Sequence, residues 1–275
     1  MKTLSSLGLT LLMLVSFLNL SAQQVDTIII HSPKMNIDIK NVVILPEGYN
    51  SLNKKKYPVV YLLHGYSGNY ATWVKTVKKN LPELASKYQI IIVCPDGKNS
   101  WYWDSPIKPK SAYDTYVSRE LISEIDYRYS TIAEKRGRAI SGFSMGGHGA
   151  LWLTIQHPDV FGAVGSMSGG VDIRPFPKSW EMYKVLGKYS ENKKVWDEYT
   201  VTTHIDKLKG LGIPLIIDCG EEDFFLEVNE NLHKKLLDLK IPHVYKTSSG
   251  KHTPAYWRRS IDDHLQFFSD FFNQK

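Results

Sequence analysis

The chain has 275 residues, 43% of them apolar, with 34 basic against 28 acidic side chains and a formal charge of +6. That length buries one sizeable core, and no repeat, linker or low-complexity run divides it. The lysines are scattered through loops such as 54–56 and 193–194 with no basic stripe interleaved with aromatics, which excludes a nucleic-acid role.

Residues 1–22 read as a secretory signal peptide. Lys2 opens the segment, an uncharged apolar stretch runs from about Leu9 to Leu20, and Ser21-Ala22 precede the polar Gln23-Gln24. The stretch is too short to span a bilayer comfortably. No cysteine lies near it to take a lipid, so the expectation is an exported, periplasmic or extracellular protein with no stable membrane anchor, and one mature domain over 23–275. The oligomeric state is left open.

Val25–Ile30 and Ile37–Leu45 are extended stretches around a Pro33 turn, and they predict an antiparallel hairpin at a sheet edge. Short apolar runs follow at Val59–Leu63, Ile90–Cys94, Arg138–Ser141, Gly162–Ser166, Pro214–Cys219 and His243–Thr247, as parallel strands buried on both faces require. Helical periodicity lies between them at Tyr70–Lys87, Tyr113–Tyr127, Met145–Gln156 and Glu227–Leu239. The alternation predicts an α/β fold, mostly parallel, with helices on both faces of the sheet. Residues 171–211 carry no strand and are expected to form a cap-like segment.

Gly142-Phe143-Ser144-Met145-Gly146 follows the Arg138–Ser141 strand and opens the next helix. G-x-S-x-G is a weak pattern alone, but strand, turn and helix are the context of a nucleophile elbow, in which small residues two before and two after the serine let strand and helix approach. Ser144 is therefore the candidate nucleophile. A serine hydroxyl needs a base, and the base needs an acid to orient it. Asp218, Glu221, Glu222 and Asp223 cluster at the end of the next-to-last strand. Asp223, on the loop past Gly220, leads, with Glu222 next. His252 on a glycine loop after the last strand leads as base over His264 in the terminal helix, while His148 follows the elbow too closely and His64 reads as structural. The oxyanion needs two backbone donors, for which Met145 and, in Leu63-His64-Gly65-Tyr66, Tyr66 are the candidates. No cofactor or metal site is read.

Taken together, Tyr61-Leu62-Leu63-His64-Gly65, Pro95-Asp96-Gly97, Gly142-Phe143-Ser144-Met145-Gly146-Gly147, Gly220-Glu221-Glu222-Asp223 and Gly250-Lys251-His252 resemble the "putative esterase" family of α/β hydrolases. That family groups esterase D and S-formylglutathione hydrolases, tributyrin esterases, mycolyltransferases, and the feruloyl and acetyl-xylan esterases of carbohydrate esterase family 1. The resemblance runs from about Val25 to Phe272. It implies an α/β-hydrolase fold, a Ser144–His252–Asp223 triad and oxyanion donors at Tyr66 and Met145. It also implies that Cys94 and Cys219 sit several strands apart, as free buried thiols. With export, it implies a small ester or an acylated plant-type polysaccharide as substrate. An acyltransferase, or an esterase of the S-formylglutathione hydrolase or tributyrin type, is the alternative. Trp101, Tyr102, Trp103, Trp180 and Tyr256, on loops expected near the site, are the candidate substrate contacts.

Overall fold

The computed structural model describes residues 24–274, so the signal-peptide expectation for residues 1–22 lies outside the described residues. Eight strands form one sheet: β1 (Gln24–Ser32), β2 (Ile37–Leu45), β3 (Val59–Leu63), β4 (Ile91–Pro95), β5 (Arg138–Gly142), β6 (Ala163–Met167), β7 (Leu215–Gly220) and β8 (Val244–Ser248). Their spatial order is β1-β2-β4-β3-β5-β6-β7-β8. The β1–β2 hairpin is antiparallel and β2 meets β4 antiparallel, whereas every pairing from β4 to β8 is parallel. This is the mostly parallel α/β sheet that the alternation of strands and helices predicts, in the α/β-hydrolase architecture that the family resemblance implies.

Side chains alternate across a strand, so each central strand feeds two cores. Val59, Tyr61 and Leu63 of β3 pack with the helices 113–128, Met145–Gln156 and Leu226–Asp238 on one face. Val60 and Leu62 pack on the other with Trp73, Val77, Leu81 and the Pro254–Phe272 helix. β8 differs from the expectation of a doubly buried strand. It is an edge strand whose residues are half-buried or exposed.

The expected Tyr70–Lys87 helix is two pieces. A wide π turn over Trp73–Val77 ends at Lys78, which leaves the helical region (φ −139°, ψ 86°), and an α-helix restarts over Leu81–Tyr88. Pro82 forces the restart, because proline has no N–H to give and fits a helix only in its first turn. Residues 171–211 carry short helical turns at Tyr183–Leu186, Lys193–Glu198, Val201–His204 and Ile205–Leu208, without a strand. Cys94 on β4 and Cys219 on β7 are free and buried, with β3, β5 and β6 between their strands. Among the described residues no helix is long and apolar enough to cross a membrane.

Candidate active site

The C-terminal ends of β3, β5, β7 and β8 lie on one rim of the sheet, and each delivers one part of the site. β5 registers in parallel with β3 from Val59↔Arg138 to Leu63↔Gly142, which sets His64-Gly65-Tyr66 beside the turn at Ser144. Ser144 has φ 57° and ψ −119°, a conformation costly for a side chain with a Cβ. Contact on both sides of it holds the turn. A Cβ on Gly142 would lie 2.5 Å from the Gly146 backbone, and one on Gly146 would lie 2.4 Å from the Leu63 carbonyl. The Ser144 N–H donates to Met167 O (2.9 Å), and its carbonyl accepts from His148 N–H (3.1 Å).

Ser144 Oγ lies 2.8 Å from His252 Nε2, and His252 Nδ1 lies 2.8 and 3.0 Å from the two carboxylate oxygens of Asp223. A carboxylate only accepts, so Nδ1 carries the imidazole proton and Nε2 turns its lone pair toward the serine hydroxyl, which donates to it. The Asp223 side chain is fully buried and also accepts from Phe225 N–H (2.9 Å). The acid and base loops are tied by main chain: Glu221 N–H donates to Ser248 O and Glu222 N–H to Gly250 O. A Cβ on Gly220 would meet Gly250 O at 2.4 Å, so glycine is what lets the two loops touch.

The rival residues are engaged elsewhere. Glu221 and Glu222 are exposed, with Glu222 facing Lys251 at 3.6 Å. Asp218 Oδ2 accepts from His264 Nε2 (2.6 Å), and Ser141 Oγ donates to His264 Nδ1 (2.9 Å). This serine–histidine–aspartate series repeats the hydrogen-bond order of the first, but Ser141 and His264 have no exposed surface, and no substrate reaches them. His148 donates from Nδ1 to Gly170 O and accepts from Trp103 Nε1–H at Nε2. Burial pushes its pKa down to about 4, so it is neutral at pH 7. His64 accepts from Gly97 N–H at Nε2 and donates from Nδ1 to Gly65 O, which braces the Gly65-Tyr66 loop.

A cleft of about 370 Å³ opens over Ser144 and His252 between Tyr66, Phe143, Trp180 and Trp257, with Thr72, Thr76 and Val77 on its wall. Among the described residues, the N–H groups of Tyr66 and Met145 donate to no protein acceptor, leaving both free for an oxygen in the cleft. Such a site can activate a hydroxyl and stabilise a developing oxyanion. Trp180 lines the cleft. The other aromatic candidates do not, and this corrects the expectation that they contact substrate. Trp101, Tyr102 and Trp103 have at most 1% of their surface exposed. The two indoles stack on each other at 5.5 Å, and Tyr102 donates its hydroxyl to His64 O. Tyr256 is 2% exposed and faces the β8 side of the Pro254–Phe272 helix, away from the cleft. These rings are core because a loop at a strand end can fold inward as readily as outward. Two further rings, Phe143 and Phe224, belong to the site although no sequence pattern singles them out as contacts. Phe143 stacks on Trp257 at 4.2 Å, and Phe224 lies between Trp180 (5.8 Å) and His252 (4.3 Å). Both directly adjoin candidate catalytic residues, which was the available signal.

Residues 32–268 match the family described as "Putative esterase". The chain belongs to that family. An acetyl esterase of Caldicellulosiruptor saccharolyticus is 27% identical over 233 residues, which cover 79% of this chain and 85% of that protein. Among solved structures, a ferulic acid esterase superposes with TM-score 0.75 at 26% identity, covering 91% of this chain and 99% of that one. An S-formylglutathione hydrolase of Staphylococcus aureus superposes with TM-score 0.80 at 21% identity over 90% of this chain and 100% of the other, a likeness of fold.

Proposed function

We propose that this member of the esterase family is an exported serine carboxylesterase that removes short acyl or feruloyl groups from plant-type polysaccharides. The observation that carries the reading is the Ser144 Oγ, His252 and Asp223 series, bonded at 2.8 Å on each side of the imidazole, at the floor of a cleft of about 370 Å³. Ser144 Oγ attacks the ester carbonyl while His252 Nε2 takes its proton. Asp223 steadies the imidazolium, and the N–H groups of Tyr66 and Met145 receive the oxyanion. Collapse expels the alcohol with the proton from Nε2 and leaves an acyl-Ser144 ester. Water, deprotonated by the same nitrogen, then releases the acid and restores Ser144.

The short-acyl part rests on the size of the cleft, which Trp180 and the 171–211 segment cap on one side. Aromatic walls at Trp180, Phe143 and Trp257 favour a planar feruloyl ring. The acetyl esterase and ferulic acid esterase relatives act on esters of these kinds by their names. Hydrolysis of acetyl, butyryl and feruloyl esters and of acetylated xylan by purified protein tests the proposal. Turnover of the small esters with acyl release from xylan is expected, and no turnover of any of them would reject it.

A further inference from the structure

We propose that a lysine-lined pocket beside the Tyr66 loop is a subsite for a carboxylate carried by the substrate away from the ester under attack, as on a uronic-acid residue of an acylated glycan. The proposal rests on the esterase reading of the neighbouring cleft and deepens it.

The pocket holds about 290 Å³, with Lys98, Lys108, Lys110 and Lys184 around it and Glu181 as its one acid. Two of these cations are already neutralised: Lys98 binds Asp96 at 2.9 Å, and Lys184 binds Glu181. The Lys184 ammonium, with Lys108 beyond it, holds the Glu181 carboxyl below its ordinary range. Lys108 and Lys110 have no carboxylate within 4.0 Å among the described residues. The pocket therefore carries an excess of two positive charges. The catalytic cleft next to it is lined by no Lys, Arg, Asp or Glu.

Two hydrogen bonds form the wall between the pocket and the cleft. Ser67 N–H donates to Asn99 Oδ1 (2.8 Å), and the Tyr66 hydroxyl donates to Glu181 (3.2 Å). Tyr66 and Ser67 line the cleft, whereas Asn99 and Glu181 line the pocket. A ligand that crosses this wall sets a neutral ester over Ser144 and an anion over the lysines. Asn99 and Ser111, in the lining, can bond sugar hydroxyls. Lysine ammoniums are point charges without a fork, so they attract a carboxylate without fixing its plane, which suits a flexible glycan.

Binding of trigalacturonate and of neutral xylotriose to the Ser144→Ala protein tests the subsite without requiring turnover. Trigalacturonate should bind more tightly, and raising NaCl from about 0.02 M to about 0.5 M should weaken it alone, because the contacts are exposed charges. Lys108→Ala with Lys110→Ala, both at exposed positions, should weaken trigalacturonate binding about fivefold, the sum of two modest surface ion pairs. In the enzyme with Ser144 intact, the same double variant should lower the kcat/KM ratio of acetylated trigalacturonate to acetylated xylotriose by a similar factor. Equal binding of the two trisaccharides, or binding of the acidic one that ignores both salt and the lysines, would overturn the proposal. If S-acetylglutathione instead of the uronate lost affinity in the variant, the anion would be a peptide carboxylate and the uronate assignment would fall. Absence of esterase turnover would sink the catalytic reading and leave the binding result to decide the pocket.

Discussion

Ser144 is the residue on which the proposed chemistry turns, and its removal leaves a small, well-tolerated change at a strained position. Ser144→Ala is expected to fold and to lose at least about 10⁴ in kcat on p-nitrophenyl acetate. Asp223→Asn should cost about 10⁴ by favouring the wrong imidazole tautomer. Glu222→Gln, which alters an exposed carboxylate 3.6 Å from Lys251, should stay within about twofold. Steady-state kinetics on the three variants ranks them, and a loss for Glu222→Gln equal to that for Asp223→Asn would move the acid. His148 makes a prediction about stability. Its folded pKa, about 4, lies below the ordinary 6.5 because the imidazole is buried. The unfolded chain therefore binds the extra proton between these values. The stability tied to a neutral His148 is complete above pH 6.5, declines as pH falls toward 4, and amounts to about 3 kcal/mol across that window. His148→Gln keeps an acceptor for Trp103 and a donor for Gly170. Urea unfolding at pH 4.5 and 7.5 should show a smaller loss on acidification for the variant than for the parent, and equal losses would remove His148 as the cause.

At the scale of elements, the main-chain ties between the loops after β7 and β8 keep acid and base in register. Gly220→Ala drives a methyl into Gly250 O and should cost about 1–3 kcal/mol of stability. It should also lower kcat, since the loop that must move carries His252. Gly210→Ala is the control: its φ is +78° with open space around it, so it pays about 1 kcal/mol of backbone strain and leaves kcat alone. Denaturant midpoints and kcat for the pair separate the two effects, and parallel changes would mean that the Gly220 contact has no catalytic bearing. The same elements explain what the sequence made legible. The order of strands and helices, the elbow and both loops could be read because turn residues punctuate short apolar runs, and the chemistry sits at strand ends where a glycine precedes a polar side chain. The Trp73–Val77 break was hidden because Pro82 falls in a region whose apolar spacing continues through it. Burial of Trp101, Tyr102 and Trp103 was hidden because nothing in a loop's composition records which way it folds. Asp218 and His264 could be set aside from their strand and helix settings, but that they bond each other directly, with Ser141 on the other imidazole nitrogen, is a fact of packing alone.

Over the whole molecule, the cleft, the 171–211 segment and the sheet rim together fix what can reach Ser144. The cleft is near the small end of ligand sites, and its walls are rings with Thr72, Thr76 and Val77. Each methylene that enters such a cleft gains about 0.8 kcal/mol, or roughly fourfold in kcat/KM. Once the acyl chain outgrows the cleft, further carbons remain in water and gain nothing, while crowding against Trp180 and Trp257 misplaces the carbonyl. On p-nitrophenyl esters, kcat/KM should therefore rise from acetyl to butyryl, level off, and fall well before palmitoyl. A feruloyl ester should match the short chains, because its ring is flat and can lie on Trp180. Trp180→Ala enlarges the space and should move the optimum to longer chains while weakening feruloyl turnover. Kinetics across acetyl, butyryl, octanoyl, palmitoyl and feruloyl esters test this, and a best kcat/KM on palmitoyl in the parent protein would replace the glycan-ester reading with that of a lipase.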